Sequence, residues 1–248
     1  MSDPIHQFII EPLVRFEPYG INLSFTNSSL WMMVAAATSI LFLTVSIQKQ
    51  ALVPSRLQSV SEMLYEFIAG MIRENVGSRG RQYFPFVFTL FMVVLMGNVL
   101  GLLPYAFTYT SHIIVTGALA SSVFLAVVAF GFKNHGLHFL SLFAPPGVPL
   151  ALQFLIVPLE LLSFMTRPFT LALRLFANMM AGHLMLKVFA GFSTMLLGLG
   201  GLGVLAGAVP MLFNVALLVL ELLVAVLQAY IFAILTCIYL KDTVDLHH

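Results

Sequence analysis

Charge is what this sequence has least of. Of its 248 residues, 8% are Asp, Glu, Lys or Arg and 60% are hydrophobic. A soluble domain carries about 25% charged residues, so a chain this depleted cannot cover a water-facing surface. A soluble enzyme is thereby excluded, and no nucleophile–base constellation or nucleotide-binding loop stands in the sequence. A net charge of +1 excludes a nucleic-acid surface, which needs a basic excess to track phosphates. The single cysteine, Cys237, forms no intrachain disulfide and reads as a small packing residue. The opening stretch MSDPIHQFIIEPLVRFEPYG lacks the basic n-region of a signal peptide. The apolar run that begins near Leu30 is therefore read as a retained membrane span.

What is present is a series of such runs. Leu30 to Ile47 is long enough to cross a bilayer. Arg56 to Val76 differs: Leu57, Val60, Leu64, Phe67, Ile68, Met71 and Ile72 repeat at helical spacing, with Glu62, Glu66, Arg73 and Glu74 elsewhere. That is an amphipathic helix at the membrane surface. The basic loop GSRGRQ follows; it lacks the Lys-Ser/Thr ending of a phosphate loop. From Phe84 to Phe132 there is no Asp, Glu, Lys or Arg. Pro104 divides this stretch into spans over 84–104 and 112–132, joined by the turn YAFTYTSH. His135 and His138 have a spacing that could ligate a metal, but no further ligand stands nearby, which favours a solvated loop. No cofactor or metal site is expected.

The remainder, 148–240, reads as two long helical arms joined by the glycine-rich turn GLGGLG at 198–203. The expectation is an all-α integral membrane protein with about five transmembrane helices. It is a single membrane domain over 1–248: an N-terminal segment 1–29, an amphipathic helix 56–76 and a hairpin 148–240. Lys49, Arg56, Arg73, Arg79, Arg81, Lys133 and Lys241 fall on one side of such a topology. The positive-inside rule then makes the amphipathic helix and C-terminus cytoplasmic and the N-terminus outer.

Between Phe84 and Leu240 the charged side chains are Lys133, Glu160, Arg167, Arg174, Lys187 and Glu221. Each charge at bilayer depth costs roughly 2.5–3.5 kcal/mol, and such groups default to a functional hypothesis. Snorkelling near a helix end suits Lys187 and Arg167. It does not suit Arg174 or Glu221, which lie far from any basic loop. Asn214, Glu221 and Gln228 recur every seven residues and share one stripe of the last arm. Arg174 and Asn178, one turn apart, share a face of the preceding arm. An ideal hairpin turning at Gly200-Gly201 sets Arg174 level with Gln228 and His183 level with Glu221. Arg174 and His183, nine residues apart, lie on opposite sides of an ideal helix. Arms of about 40 residues span roughly 60 Å, twice the hydrocarbon thickness, so they lie strongly oblique or break, with Pro158 and Pro168 the candidate kinks. Asn98, in GNVLGLLP, suits an interhelical hydrogen bond better than a direct part in transport.

His183, Glu221 and Glu160 can each exchange a proton with water. Arg174 cannot, but it attracts carboxylates and repels hydrated protons. Two proton-accessible regions separated by a permanent cation need a carrier past it, and no internal carrier stands in the sequence.

These residues resemble subunit a of F-type ATP synthases. The resemblance rests on PLELLSFMTRPFTLALRLFANMMAGH, on the arm bearing Glu221 and Gln228, and on GNVLGLLP, and it extends from the first span onward. It implies two offset half-channels serving the carboxylates of a rotating c-subunit ring, together with peripheral-stalk b-type and other ATP synthase subunits as partners. ATP chemistry is then in other chains. Arg174 matches the essential arginine, Gln228 its supporting residue, and Asn178 a polar neighbour. His183 and Glu221 match the outer half-channel pair, and Glu160 a cytoplasmic-channel residue. Asn214 and Asn98 are candidate supporting polar groups. Many bacterial members carry the acid and histidine the other way round; the order here resembles the alphaproteobacterial and mitochondrial branch, and implies a bacterial inner membrane. A secondary transporter would show internal repeats and broken helices around a midplane site; no repeated half is seen, and about five spans is few. A structural subunit of a respiratory complex would not need polar groups in matched pairs.

Overall fold

The computed structural model describes residues 8–15, 24–48, 54–103, 106–143, 149–200 and 202–244. Lys49, Pro104, Gly201 and much of the segment 1–29, all used above, lie outside them. A short antiparallel ribbon that the sequence did not announce pairs β1 (Pro12–Val14) with β2 (Phe25–Thr26). It is tied by Asn27, whose side-chain oxygen accepts from the Glu11 N–H at 3.3 Å and whose amide donates to the Ile9 carbonyl at 3.2 Å.

All other regular structure among the described residues is helical. α1 is Asn27–Ile47, α2 Arg56–Asn75, α3 Phe84–Gly101, α4 Ile113–His135, α5 Leu150–Leu197 and α6 Leu202–Val244, with 3-10 turns at Ser78–Tyr83, Tyr109–Ser111 and Gly136–Phe143. Five helical stretches, built on every helix but α2, are long and apolar enough to cross a membrane, as the apolar runs implied. α2 starts where the Ser55 side chain accepts the Gln58 N–H, the usual cure for an orphaned first-turn donor. It buries Ile68, Met71 and Ile72 while Leu57, Val60 and Phe67 stay exposed, so only part of its apolar stripe is used for packing. His135 is not in a loop: α4 continues through Lys133 to His135, because cations are favoured in a helix's last turn. His138 lies in the following 3-10 turn.

The chain forms two compact units. One holds residues 1–40, 93–113 and 175–229, the other 41–92, 114–174 and 230–248; α1, α3, α5 and α6 contribute to both. In the second unit Tyr83 accepts from the Asn134 amide at 2.7 Å. Arg167, expected to snorkel, instead forms a 2.7 Å ion pair with Asp242, its guanidinium 5.2 Å from the ring centres of both Phe164 and Tyr239. A fork-shaped cation flanked by two aromatic faces and a carboxylate has no need to reach for water.

α5 runs 48 residues through Pro158 and Pro168, and α6 runs 43 through Pro210. The arms therefore do not break at the prolines. At 1.5 Å per residue they are roughly 72 and 65 Å long against about 30 Å of hydrocarbon. Gly200, at φ +68°, occupies the left-handed region at the turn where a side chain would be strained. In the first unit four contacts mark the antiparallel pairing. Ser193 donates to the Gly207 carbonyl at 2.9 Å, Phe189 stacks on Phe213 at 5.4 Å, His183 meets Glu221 at 3.1 Å and Asn178 donates to Gln228 at 2.9 Å.

The ideal register holds at His183 and Glu221 but fails further along. Between the first and last of these contacts α5 advances 15 residues and α6 advances 21. Oblique or bowed packing gives such a drift, since unequal lengths of helix then cover the same interface. The amide of Gln228 consequently meets Asn178, one turn past the position the ideal hairpin assigns. A cysteine pair replacing Asn178 and Gln228 will cross-link in membranes faster than a pair replacing Asn178 and Val224. Equal or reversed yields would restore the ideal register.

Candidate functional site

The polar residues of the first unit gather into two clusters. At the centre of one, Nδ1 of His183 lies 3.1 Å from Oε1 of Glu221, with both side chains about 5% exposed. An unpaired polar group buried this deeply costs several kcal/mol, so mutual partnership is the condition for either residue to be here. A proton on Nδ1 or on Oε1 makes the contact attractive, although neither Glu221 carboxylate oxygen has a hydrogen-bond partner among the described residues. Two neutral acceptors would repel. Glu221 reaches this place because the facing residue is Gly182: a Cβ there would stand 2.6 Å from Oε1 and 2.8 Å from the carboxyl carbon.

The other imidazole nitrogen is also occupied. Thr108 Oγ1 lies 2.7 Å from Nε2 and donates to the Gly101 carbonyl at 3.0 Å. Thr108 belongs to the connection read as a short turn. Residues 106–111 are buried instead, seated on the two glycines of GNVLG. A Cβ on Gly101 would meet Thr108 Oγ1 and Cγ2 at 2.8 Å, and a Cβ on Gly97 would collide with the Tyr109 hydroxyl. That hydroxyl donates to the Val93 carbonyl at 3.2 Å. Burial pushes it up to about 12, so it stays a donor at neutral pH.

The second cluster surrounds Gln228, which is fully buried. Its carbonyl accepts from the Asn178 amide, and its own Nε2 is buried with no protein partner among the described residues. One turn earlier on α6, the Ala225 carbonyl accepts from Asn98 at 3.4 Å, the interhelical bond expected of that asparagine. Asn214 is half-buried, its Oδ1 unpartnered among the described residues.

Arg174 belongs to neither cluster. It is exposed, without an ion pair or side-chain hydrogen bond among the described residues, on a face of α5 that also exposes Ala177, Asn178 and Ala181. His183 is buried. Nine positions apart, they thus lie on two different faces of one helix. Glu160, in the second unit, is half-exposed on α5.

Comparison with known proteins decides the class. Residues 29–241 match the family model described as ATP synthase A chain. The chain belongs to that family. It is 51% identical to ATP synthase subunit a of Rhodospirillum rubrum over 247 residues, the full length of both chains. It is 52% identical to that of Paramagnetospirillum magneticum over 250 residues, again the full length of both. Against that of Chelativorans sp. it is 56% identical over 249 residues, covering all of this chain and 99% of the other. These relatives are alphaproteobacterial, the branch to which the order of His183 and Glu221 pointed. As a member of the ATP synthase A chain family with five such helices, the protein is an integral membrane subunit of an ATP synthase.

Within this A chain the structure brings His183 to Glu221 and Asn178 to Gln228, and adds Thr108 and Gly182, which the sequence alone does not single out, beside the first pair. The signal for Thr108 was the run of polar and aromatic residues in YAFTYTSH between two spans without charge. Gly182 carries a direct consequence. Gly182→Ala adds a methyl group that displaces the Glu221 carboxylate and lowers proton-driven ATP synthesis severalfold in membrane vesicles. Gly191→Ala, on the same helix with nothing within 4 Å of its added carbon, leaves synthesis unchanged. Equal rates for the two variants would contradict the geometry.

Proposed function

We propose that this chain is the proton-translocating, non-catalytic subunit of the membrane sector, presenting two offset half-channels to the carboxylates of a c-subunit ring. Arg174 separates the channels and couples proton flow to rotation. Support comes from one observation above all: α5 turns His183 inward to Glu221 and leaves Arg174 outward beside alanines. A proton site needs shelter and a partner. A guanidinium that meets a passing carboxylate needs an open, small-residue face on which another protein surface can come close. Among the described residues Arg174 has no acid of its own, so its charge is available to a carboxylate from outside the chain.

In this scheme protons enter from the outer side at His183 and Glu221, both able to exchange a proton once water reaches them. They transfer to a ring carboxylate, travel with the ring, and leave by the cytoplasmic channel, where Glu160 is the acceptor. Arg174 lowers the free energy of the ionised ring carboxylate by charge attraction and repels a hydrated proton that would pass directly between the channels. Asn178, one turn from Arg174 on α5, continues its polar face and is bonded to Gln228, with Asn98 and Asn214 as further supporting polar groups. The ring, b-type stalk subunits and lipid are the partners. The N-terminus faces the periplasm and the C-terminus the cytoplasm of a bacterial inner membrane, a placement supported by the side on which the basic residues fall.

Arg174→Ala will abolish ATP-driven proton pumping in membrane vesicles; pumping at a normal rate would overturn the assignment. Glu221→Leu removes one half of the entrance pair and will slow passive proton conductance through the membrane sector. Unchanged conductance would remove the pair from the path.

A further inference from the structure

The line of contacts that ends at Glu221 begins at a residue with no charge. Thr108 has one hydroxyl proton and two neighbours within hydrogen-bonding range: the Gly101 carbonyl at 3.0 Å and His183 Nε2 at 2.7 Å. A carbonyl oxygen can only accept, so the bond to Gly101 takes the hydroxyl proton. Thr108 Oγ1 is then left as an acceptor toward Nε2, and Nε2 must carry a hydrogen. In a neutral imidazole with hydrogen on Nε2, Nδ1 is bare. Nδ1 is the atom that faces Glu221.

We propose that Thr108 is a positioning residue whose hydroxyl holds His183 in the Nε2–H form, so that proton exchange is confined to Nδ1 of His183 and Oε1 of Glu221. This rests on the reading of that pair as the proton entrance. A proton gained by the pair sits on Nδ1, giving an imidazolium beside a carboxylate, or on Oε1, giving a neutral acid beside a neutral base. The two forms differ by one transfer over 3.1 Å, with no other bond made or broken. When the shared proton departs, the bare Nδ1 and the carboxylate oxygen face each other as two acceptors. Relief requires hydrogen to move from Nε2 to Nδ1 and the Thr108 hydroxyl to swing from Gly101 to Nε2. That costs the Gly101 bond, so the empty pair is kept short of a comfortable resting state and rebinds a proton readily.

The seat of Thr108 is built for this constraint. Its Oγ1 and methyl carbon occupy the space a Cβ on Gly101 would fill, and Thr108 itself is 2% exposed. The hydroxyl is therefore turned away from the surface, toward Gly101 and His183. On the other side Gly182 leaves room for the carboxylate alone. The one further cation near the imidazole on α5 is Lys187, a turn away and half-exposed.

The test is the protonation pattern of His183 in the assembled complex, read by 15N solid-state NMR with only this subunit labelled. The signal is identified by its loss in His183→Gln. In the wild-type complex Nε2 will carry hydrogen at every pH at which the complex is intact, and only Nδ1 will titrate. A neutral imidazole with hydrogen on Nδ1 and a bare Nε2 would overturn the proposal without any substitution at Thr108. Thr108→Val keeps the shape and removes the hydroxyl. It will let the Nδ1–H form appear and reduce passive proton conductance about tenfold, the effect of one hydrogen bond of ordinary strength. Thr108→Ser restores the hydroxyl and will restore both the wild-type NMR pattern and the conductance. If Thr108→Ser loses as much as Thr108→Val, the hydroxyl is not the cause and the proposal fails. If Thr108→Val shifts the hydrogen to Nδ1 and conductance stays at the wild-type rate, Thr108 controls the imidazole as proposed but the pair is not the entrance.

Discussion

The contact between His183 and Glu221 is the constraint on which the site depends. An imidazole and a carboxyl group buried among apolar helices are tolerated when each lies beside a partner of complementary charge. Holding them 3.1 Å apart dictates several features at once. Residue 182 must be a glycine, because any side chain would occupy the carboxylate's place. The connection between α3 and α4 must fold inward so that Thr108 can occupy Nε2. Gly97 and Gly101 must be bare so that this connection can lie flush on α3. A motif such as GNVLG then has a mechanical meaning: its two glycines seat the loop, and its asparagine ties α3 to α6.

The same helix that buries His183 exposes Arg174. Nine residues are two and a half turns, so a regular α-helix separates them without a kink or a twist. No proline lies between the two residues: Pro158 and Pro168 fall earlier in the 48-residue α5.

Much of the fold was legible in the sequence because hydrophobic length and periodicity are strong signals in a chain with so few charges. The five apolar helices, the amphipathic helix before α3 and the pairing of His183 with Glu221 all followed from run lengths and spacing. The departures have definite causes. Pairing by equal steps from the turn assumes parallel, straight arms, and α6 advances six residues more than α5 between Ser193 and Asn178. Gln228 thus meets Asn178, where the ideal hairpin sets it level with Arg174. Arg167 was read alone because its partner, Asp242, is 75 residues away and near the end of the chain. Thr108 was read as turn because burial of a loop depends on the surface beneath it, and bare glycines on a neighbouring helix leave no periodic trace.

The central claim is that protons cross only by riding the ring, with Arg174 closing the direct route between the two channels. The measurement that bears on it most directly is passive proton flux through membrane-sector vesicles whose ring has been cross-linked to this subunit so that it cannot turn. No flux is expected with Arg174 in place, and a measurable leak with Arg174→Ala. Equal flux in the two, whether present or absent, would contradict the claim.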